Sequence, residues 1–221
     1  MMTGKTFFIT GTGTQIGKTV VTGMLAKFLK DNGKKVITQK WVQSGGRFTE
    51  DVEVHWKWMG GEAPVLDLMP LIVPYHFERP ASPHLSARLE NVVIDTDYLI
   101  ETTETLKQDF DYVLVEGSGG LMVPVTESET WVDVLKKNPM PVIVVTENTL
   151  GCINHTLMTV EVLKSAGLPI FGIVYNQLPT TPIDDEIQKD NVTIITKMTG
   201  VEPLAVLGVQ SDMDSVSWTG W

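Results

Sequence analysis

The chain has 221 residues, 43% of them hydrophobic, and a formal net charge of −10. That length suits one α/β domain over residues 1–221 with a sizeable core, and the acidic balance argues against a general nucleic-acid surface. A single cysteine, Cys152, excludes an internal disulfide framework and a cysteine-rich metal site. No apolar run approaches the roughly 18 residues of a membrane span. The chain enters a strand almost at once, so no signal peptide is expected and a reducing, cytoplasmic location fits.

Lys5 to Thr10 is short and apolar, which predicts a buried parallel strand. It runs into Gly11-Thr12-Gly13-Thr14-Gln15-Ile16-Gly17-Lys18-Thr19. A helix is expected from Lys18 to Asn32, with Val20, Met24, Ala26, Phe28 and Leu29 inward and Gly33 near its C-cap. Lys35 to Gln39 is a second strand ending at Lys40, and Gln43-Ser44-Gly45-Gly46 reads as a polar loop. Asp51 to Met59 is helical and stops at Gly60-Gly61. Pro70, Pro74, Pro80 and Pro83 disfavour helix, so this stretch is expected as an extended, shaped loop. Helices follow at His84 to Glu90 and Asp95 to Gln108.

Asp111 to Val115 is the most convincing central strand, ending in Glu116-Gly117-Ser118-Gly119-Gly120, with Leu121 to Val125 as a short apolar continuation. Pro141 to Thr146 is another strand, and Gly151 opens the next helix. Pro169 to Tyr175 leads into Asn176. Asp184 to Thr199 is helical, and Leu204 to Leu207 is a last strand. The rest, to Trp221, reads as a polar, mobile tail. Strands alternating with helices imply a mostly parallel central sheet with helices on both faces. Ligands of such sheets sit at the carboxyl ends of the strands, where the polar clusters of this chain also fall.

Gly11 to Thr19 has the form of a phosphate-binding loop between strand and helix. Gly11, Gly13 and Gly17 let backbone N–H groups approach an anion closely, and the following helix adds its positive dipole end. Five residues separate Gly11 from Gly17, against four in the usual pattern. Lys18 is suited to the β- and γ-phosphates and the Thr19 hydroxyl to magnesium. Glu116 closes an apolar strand and is a second magnesium candidate; Asp51 is a third, or an ordinary helix-start acid. Lys40, also at a strand end, could join Lys18 in holding a second anion beside the γ-phosphate, which the attack of an anionic nucleophile requires. Thr14 and Ser44 are nearby hydrogen-bond donors, or simple turn residues. Gly151, Cys152, Ile153 and Asn154 open a helix whose free N–H groups suit a carboxylate. Cys152 itself reads as a packing residue.

Together these segments resemble the dethiobiotin synthetases. Thr10 to Thr19, Pro74-Tyr75-His76-Phe77 with Pro80-Ala81-Ser82-Pro83-His84, Val113 to Gly120 and Leu150 to His155 are similar to motifs of that family. The resemblance spans most of residues 5 to 180 and implies a three-layer P-loop NTPase fold. It also implies an ATP- and magnesium-dependent ligase that carboxylates 7,8-diaminopelargonate and closes a ureido ring. By position, Gly13, Thr14, Gln15, Ile16, Gly17, Lys18, Thr19 and Val20 would hold ATP, with Glu116, Gly117, Ser118, Gly119 and Asn176, the last at the base. Lys40, Lys18, Thr14 and Ser44 would serve the reaction. Thr19, Asp51 and Glu116 would hold magnesium. Ser44 and Pro83 would meet the substrate, with Gly151 to Asn154 supplied across a homodimer interface. Departures from the pattern are Gln15, where an acid is common, Trp41, where proline is common, and Val209-Gln210-Ser211 in place of an Ile-Pro continuation. Two other readings are a partition or positioning ATPase, which carries an additional lysine early in the loop that this chain lacks, and a cobalamin-pathway ATP-dependent synthetase.

Overall fold

The computed structural model describes residues 4–61, 66–178, 184–209 and 216–221. In chain order the elements are β1 (Lys5–Gly11), α1 (Lys18–Asp31), β2 (Val36–Lys40), β3 (Val42–Ser44), α2 (Glu50–Trp58), α3 (Met69–Ile72), β4 (Tyr75–Phe77), α4 (Pro83–Leu89), α5 (Thr96–Leu106), β5 (Tyr112–Gly120), α6 (Trp131–Lys137), β6 (Val142–Glu147), α7 (Cys152–Ser165), β7 (Ile170–Asn176), α8 (Asp185–Thr199) and β8 (Pro203–Leu207). Six strands form one parallel sheet in the order β2-β5-β1-β6-β7-β8, and β3 pairs with β4 in a separate parallel ribbon.

Strand alternation divides the core in two. Phe7, Ile9, Leu114, Ile143 and Val145 meet Val21, Met24, Leu25 and Leu29 of α1. Phe8, Val113, Val115, Val142 and Val144 face the other way, toward Leu99 and Leu106 of α5, Leu135 of α6 and Leu163 of α7. The expected inward face of α1 is therefore displaced: Val21 and Leu25 are fully buried, whereas Val20 and Phe28 are only partly so. Covering both faces leaves the strand ends as the open edge of the sheet.

Four further local readings are corrected. β5 does not stop at Val115 but continues through Gly120, pairing Ile9 with Glu116 and Gly11 with Gly120. Gly117 permits this, because a Cβ there would stand 2.5 Å from Phe8. Leu121 to Val125 adds no strand beyond an isolated bridge at Pro124. The proline-rich stretch holds the short helix α3 and strand β4; Pro70 is tolerated in the first helical turn, where its missing N–H has no partner to lose. The unforeseen α6 carries a capping box between Thr130 and Asp133, a signature present in the sequence.

Residues 216–221, expected as mobile, pack on the α1 side of the sheet. The Trp221 ring lies 5.0 Å from Phe7 and 4.8 Å from Phe171, Trp218 packs against Phe28, and the Thr219 N–H donates to the Leu204 carbonyl. The ring contacts of these partly covered indoles outweigh the polar neighbours. Gln210 and Ser211 lie outside the described residues.

Candidate functional site

The carboxyl ends of β1, β2 and β5 border a cleft of about 790 Å³. Thr14, Gln15, Gly17, Lys18, Thr19 and Val20 form one wall; Lys40, Ser44, Asp51, Glu116, Ser118 and Gly119 form the floor and opposite side. Pro83 closes the cleft from the proline-rich stretch, and Gln43 and Glu50, not anticipated from sequence, also line it.

The phosphate loop is held from within. Gly17 adopts φ 89°, left-handed backbone that opens α1. A Cβ there would come within 2.2 Å of Asn176 Nδ2, which itself donates to the Ile16 carbonyl at 2.9 Å. Asn176, at the end of β7, thus ties the loop to the sheet and does not line the cleft. Ile16 is buried beneath the loop. The Gly13 carbonyl accepts from Lys18 Nζ at 3.0 Å.

Parallel register builds the charged centre. β2 and β5 place Lys40 directly beside Glu116. Lys40 Nζ lies 2.7 Å from Glu116 Oε1 and 2.7 Å from Asp51 Oδ2, the latter reaching in from α2. The Thr19 hydroxyl donates to the same Glu116 Oε1 at 3.1 Å. On the far side, His55 Nε2 donates to Glu116 Oε2 at 2.8 Å. His55 was not singled out from the sequence; its position four residues after Asp51, on the same face of α2, was the available signal.

Burial alone would lower the Lys40 pKa, but Glu116 and Asp51 more than offset it and hold the ammonium above the ordinary lysine value. Burial would raise the Glu116 carboxyl; Lys40 first, then His55, override it and hold the group well below the usual carboxylate range. Lys18 goes the other way. Burial lowers it to about 8; Lys40 adds to the shift, and Glu116 and Asp51 oppose it.

The Lys18 shift has a measurable consequence. The unfolded chain keeps this proton to the ordinary value of 10.5, the folded chain only to about 8. Between those values the unfolded state binds more protons, so this group's contribution to stability rises with pH across that window. Bound phosphate favours the ammonium and reverses the shift. Calorimetry of ADP binding at pH 8, run in buffers of different ionisation enthalpy, should therefore register uptake of about half a proton, and affinity should fall as pH rises further. Binding without proton uptake at pH 8 would remove Lys18 from contact with the phosphates.

Trp41 is explained by packing. It is fully buried, its ring lies 5.4 Å from Phe8 and 5.8 Å from Trp131, and its Nε1 donates to Thr103 of α5 at 2.9 Å. Gln39 bonds Thr102 and Thr103 of the same helix. The residues on either side of Lys40 are thus anchored toward α5, while Lys40 enters the cleft. Gln15 is exposed with φ 60° at the loop's turn. Gly151, Cys152, Ile153 and Asn154 do not line the cleft of this chain; they open α7, where Leu150 and Met158 are exposed.

A family model described as an AAA domain matches residues 5–217. The ATP-dependent dethiobiotin synthetase BioD 2 of Pasteurella multocida (strain Pm70) is 46% identical over 178 residues, covering 80% of this chain and 84% of the relative. The chain belongs to the dethiobiotin synthetase family. Another relative, the ATP-dependent dethiobiotin synthetase BioD of Halalkalibacterium halodurans, is 36% identical over 219 residues, covering 96% of this chain and 88% of that one. The parallel sheet agrees with likenesses to solved structures, which at this identity show the fold alone. The signal recognition particle receptor FtsY from Elizabethkingia anophelis, in complex with GDP, superposes with a TM-score of 0.64 at 16% identity, over 100% of this chain and 62% of that one. The MinC:MinD cell division protein complex of Aquifex aeolicus gives 0.59 at 16% identity, over 96% of this chain and 85% of that chain. Among the described residues no helix is long and apolar enough to cross a membrane.

Proposed function

We propose that this chain is an ATP-dependent dethiobiotin synthetase of biotin biosynthesis. One amine of 7,8-diaminopelargonate takes up carbon dioxide as a carbamate, releasing a proton. A carbamate oxygen attacks the γ-phosphorus of ATP and ADP leaves. The second amine attacks the carbamoyl carbon of the mixed anhydride, closing the ureido ring as phosphate departs. The observation that carries this reading is one cleft holding Lys18 in the phosphate loop and Lys40 across from it. An attack of anion on anion needs positive charge on both.

In this reading Gly13 to Val20 cradle the phosphates, with Gly117 to Gly119 alongside, and Lys18 leaves the Gly13 carbonyl to meet them. Lys40 meets the carbamate, with Thr14 and Ser44 donating hydrogen bonds, and Pro83 bounds the substrate. Asn176 stands at the base end. Thr19, Asp51 and Glu116 would hold magnesium. The residues fit: the Glu116 and Asp51 carboxylates already gather around one cation, the Lys40 ammonium, and the Thr19 hydroxyl bonds the same Glu116 oxygen. Among the described residues no three His, Cys, Asp or Glu side chains form a metal cage by themselves, which accords with an ion that keeps waters and phosphate oxygens as ligands. Bound magnesium would screen the phosphate charge. Exposed Leu150 and Met158 beside the Gly151–Asn154 turn favour a homodimer in which that turn serves the partner's substrate carboxylate. We place the enzyme in the cytoplasm.

The test is mass detection of dethiobiotin formed from labelled bicarbonate, diamine and ATP, with ATP hydrolysis dependent on both other substrates. Turnover indifferent to diamine but raised by DNA or lipid would instead point to a positioning ATPase.

A further inference from the structure

The Glu116 carboxylate presents its two oxygens to different surroundings. Oε1 meets Lys40 and Thr19, in the cleft. Oε2 meets His55 Nε2 at 2.8 Å. His55 is fully buried, and its other ring nitrogen, Nδ1, has no hydrogen-bond partner. A leucine or methionine would fill that space without stranding a buried nitrogen, so packing does not account for an imidazole here. Its one hydrogen bond does.

The fold sets the depth of that bond. α2 approaches α1 so closely at Gly23 that a Cβ there would lie 3.1 Å from the His55 backbone. The helix that delivers Asp51 to Lys40 therefore also delivers His55, one turn later, to the back of Glu116.

We infer that His55 is a positioning residue that anchors Glu116 Oε2, so that Oε1 is held toward the cleft for the nucleotide-bound cation. The inference rests on the proposed function for the identity of that cation, and acts through Glu116 alone. Groups that orient a metal-ligating side chain in this way are generally worth 10- to 100-fold in metal affinity.

The experiment compares His55→Leu, which removes the donor, His55→Gln, whose amide nitrogen can reach the place of Nε2, and His55→Asn, which is too short. ADP binding is measured by calorimetry with magnesium and, separately, with EDTA, and folding by circular dichroism and melting. Expected is a loss of about tenfold or more in magnesium-dependent ADP affinity for Leu and Asn, unchanged metal-free affinity, and near-complete recovery in Gln. Should the Leu protein not fold, the Gln and Asn pair decides. The inference is overturned if Asn and Gln behave alike, or if binding with and without magnesium falls in parallel. These assays need no diamine. A wild type that makes no dethiobiotin but shows this pattern would overturn the proposed function and leave the role of His55 standing.

Discussion

Lys40→Ala should lower turnover by about 10²–10³-fold, the scale of losing one well-placed donor to developing negative charge, while changing ADP affinity far less. The lysine is held ready for this role. Its strand is anchored on both sides through Gln39 and Trp41 to α5, and its ammonium is retained by two carboxylates in a buried setting. The loss should therefore appear in kcat rather than in nucleotide binding. There is a structural cost too. Glu116, 1% exposed, would lose its nearest cation, and a buried charge left without its partner costs about 3–5 kcal/mol. Denaturant unfolding measures the second effect and steady-state kinetics the first. An equal drop in turnover and ADP affinity would make Lys40 an ordinary binding residue.

Glu116→Gln should also abolish most activity, about 10²-fold by the same scale, but with a different signature. The amide keeps the size of the side chain and removes its charge. Half-maximal turnover should then require more magnesium; a normal magnesium titration would take Glu116 out of the metal site. Stability should fall as well, by about 3 kcal/mol near neutral pH, since Lys40 retains Asp51 alone. The pH dependence has a definite sign. The folded pKa of Glu116 lies below its ordinary value of 4.5, so its stabilising contribution is complete above that value and fades as pH falls toward the folded one. The difference in stability between wild type and Glu116→Gln should accordingly shrink on acidification below about pH 4.5.

These two residues also show where sequence reading ends. Each could be placed at a strand end, because a buried parallel strand has no reason to finish on a charge. That they are register partners across β2 and β5 depends on the strand order, which places β5 between β1 and β2. His55 escaped notice for the same reason: nothing nearby in sequence says that α2 leans on α1 at Gly23. Asn176, proposed at the base, also ties down the loop backbone through the Ile16 carbonyl, a contact that its sequence neighbours do not announce.

The sequence by itself determined the phosphate loop, the strand–helix alternation and the family motifs. Those rest on local needs: small residues for close backbone approach, apolar runs for burial, helix starts for anions. Only the tertiary structure decided that β5 runs on through its glycines, that Trp218 and Trp221 dock, and that Lys40, Asp51, Glu116 and His55 meet in one cluster. Those outcomes depend on which surfaces meet after long loops close, and contact energies between distant residues are not written in any one stretch of chain.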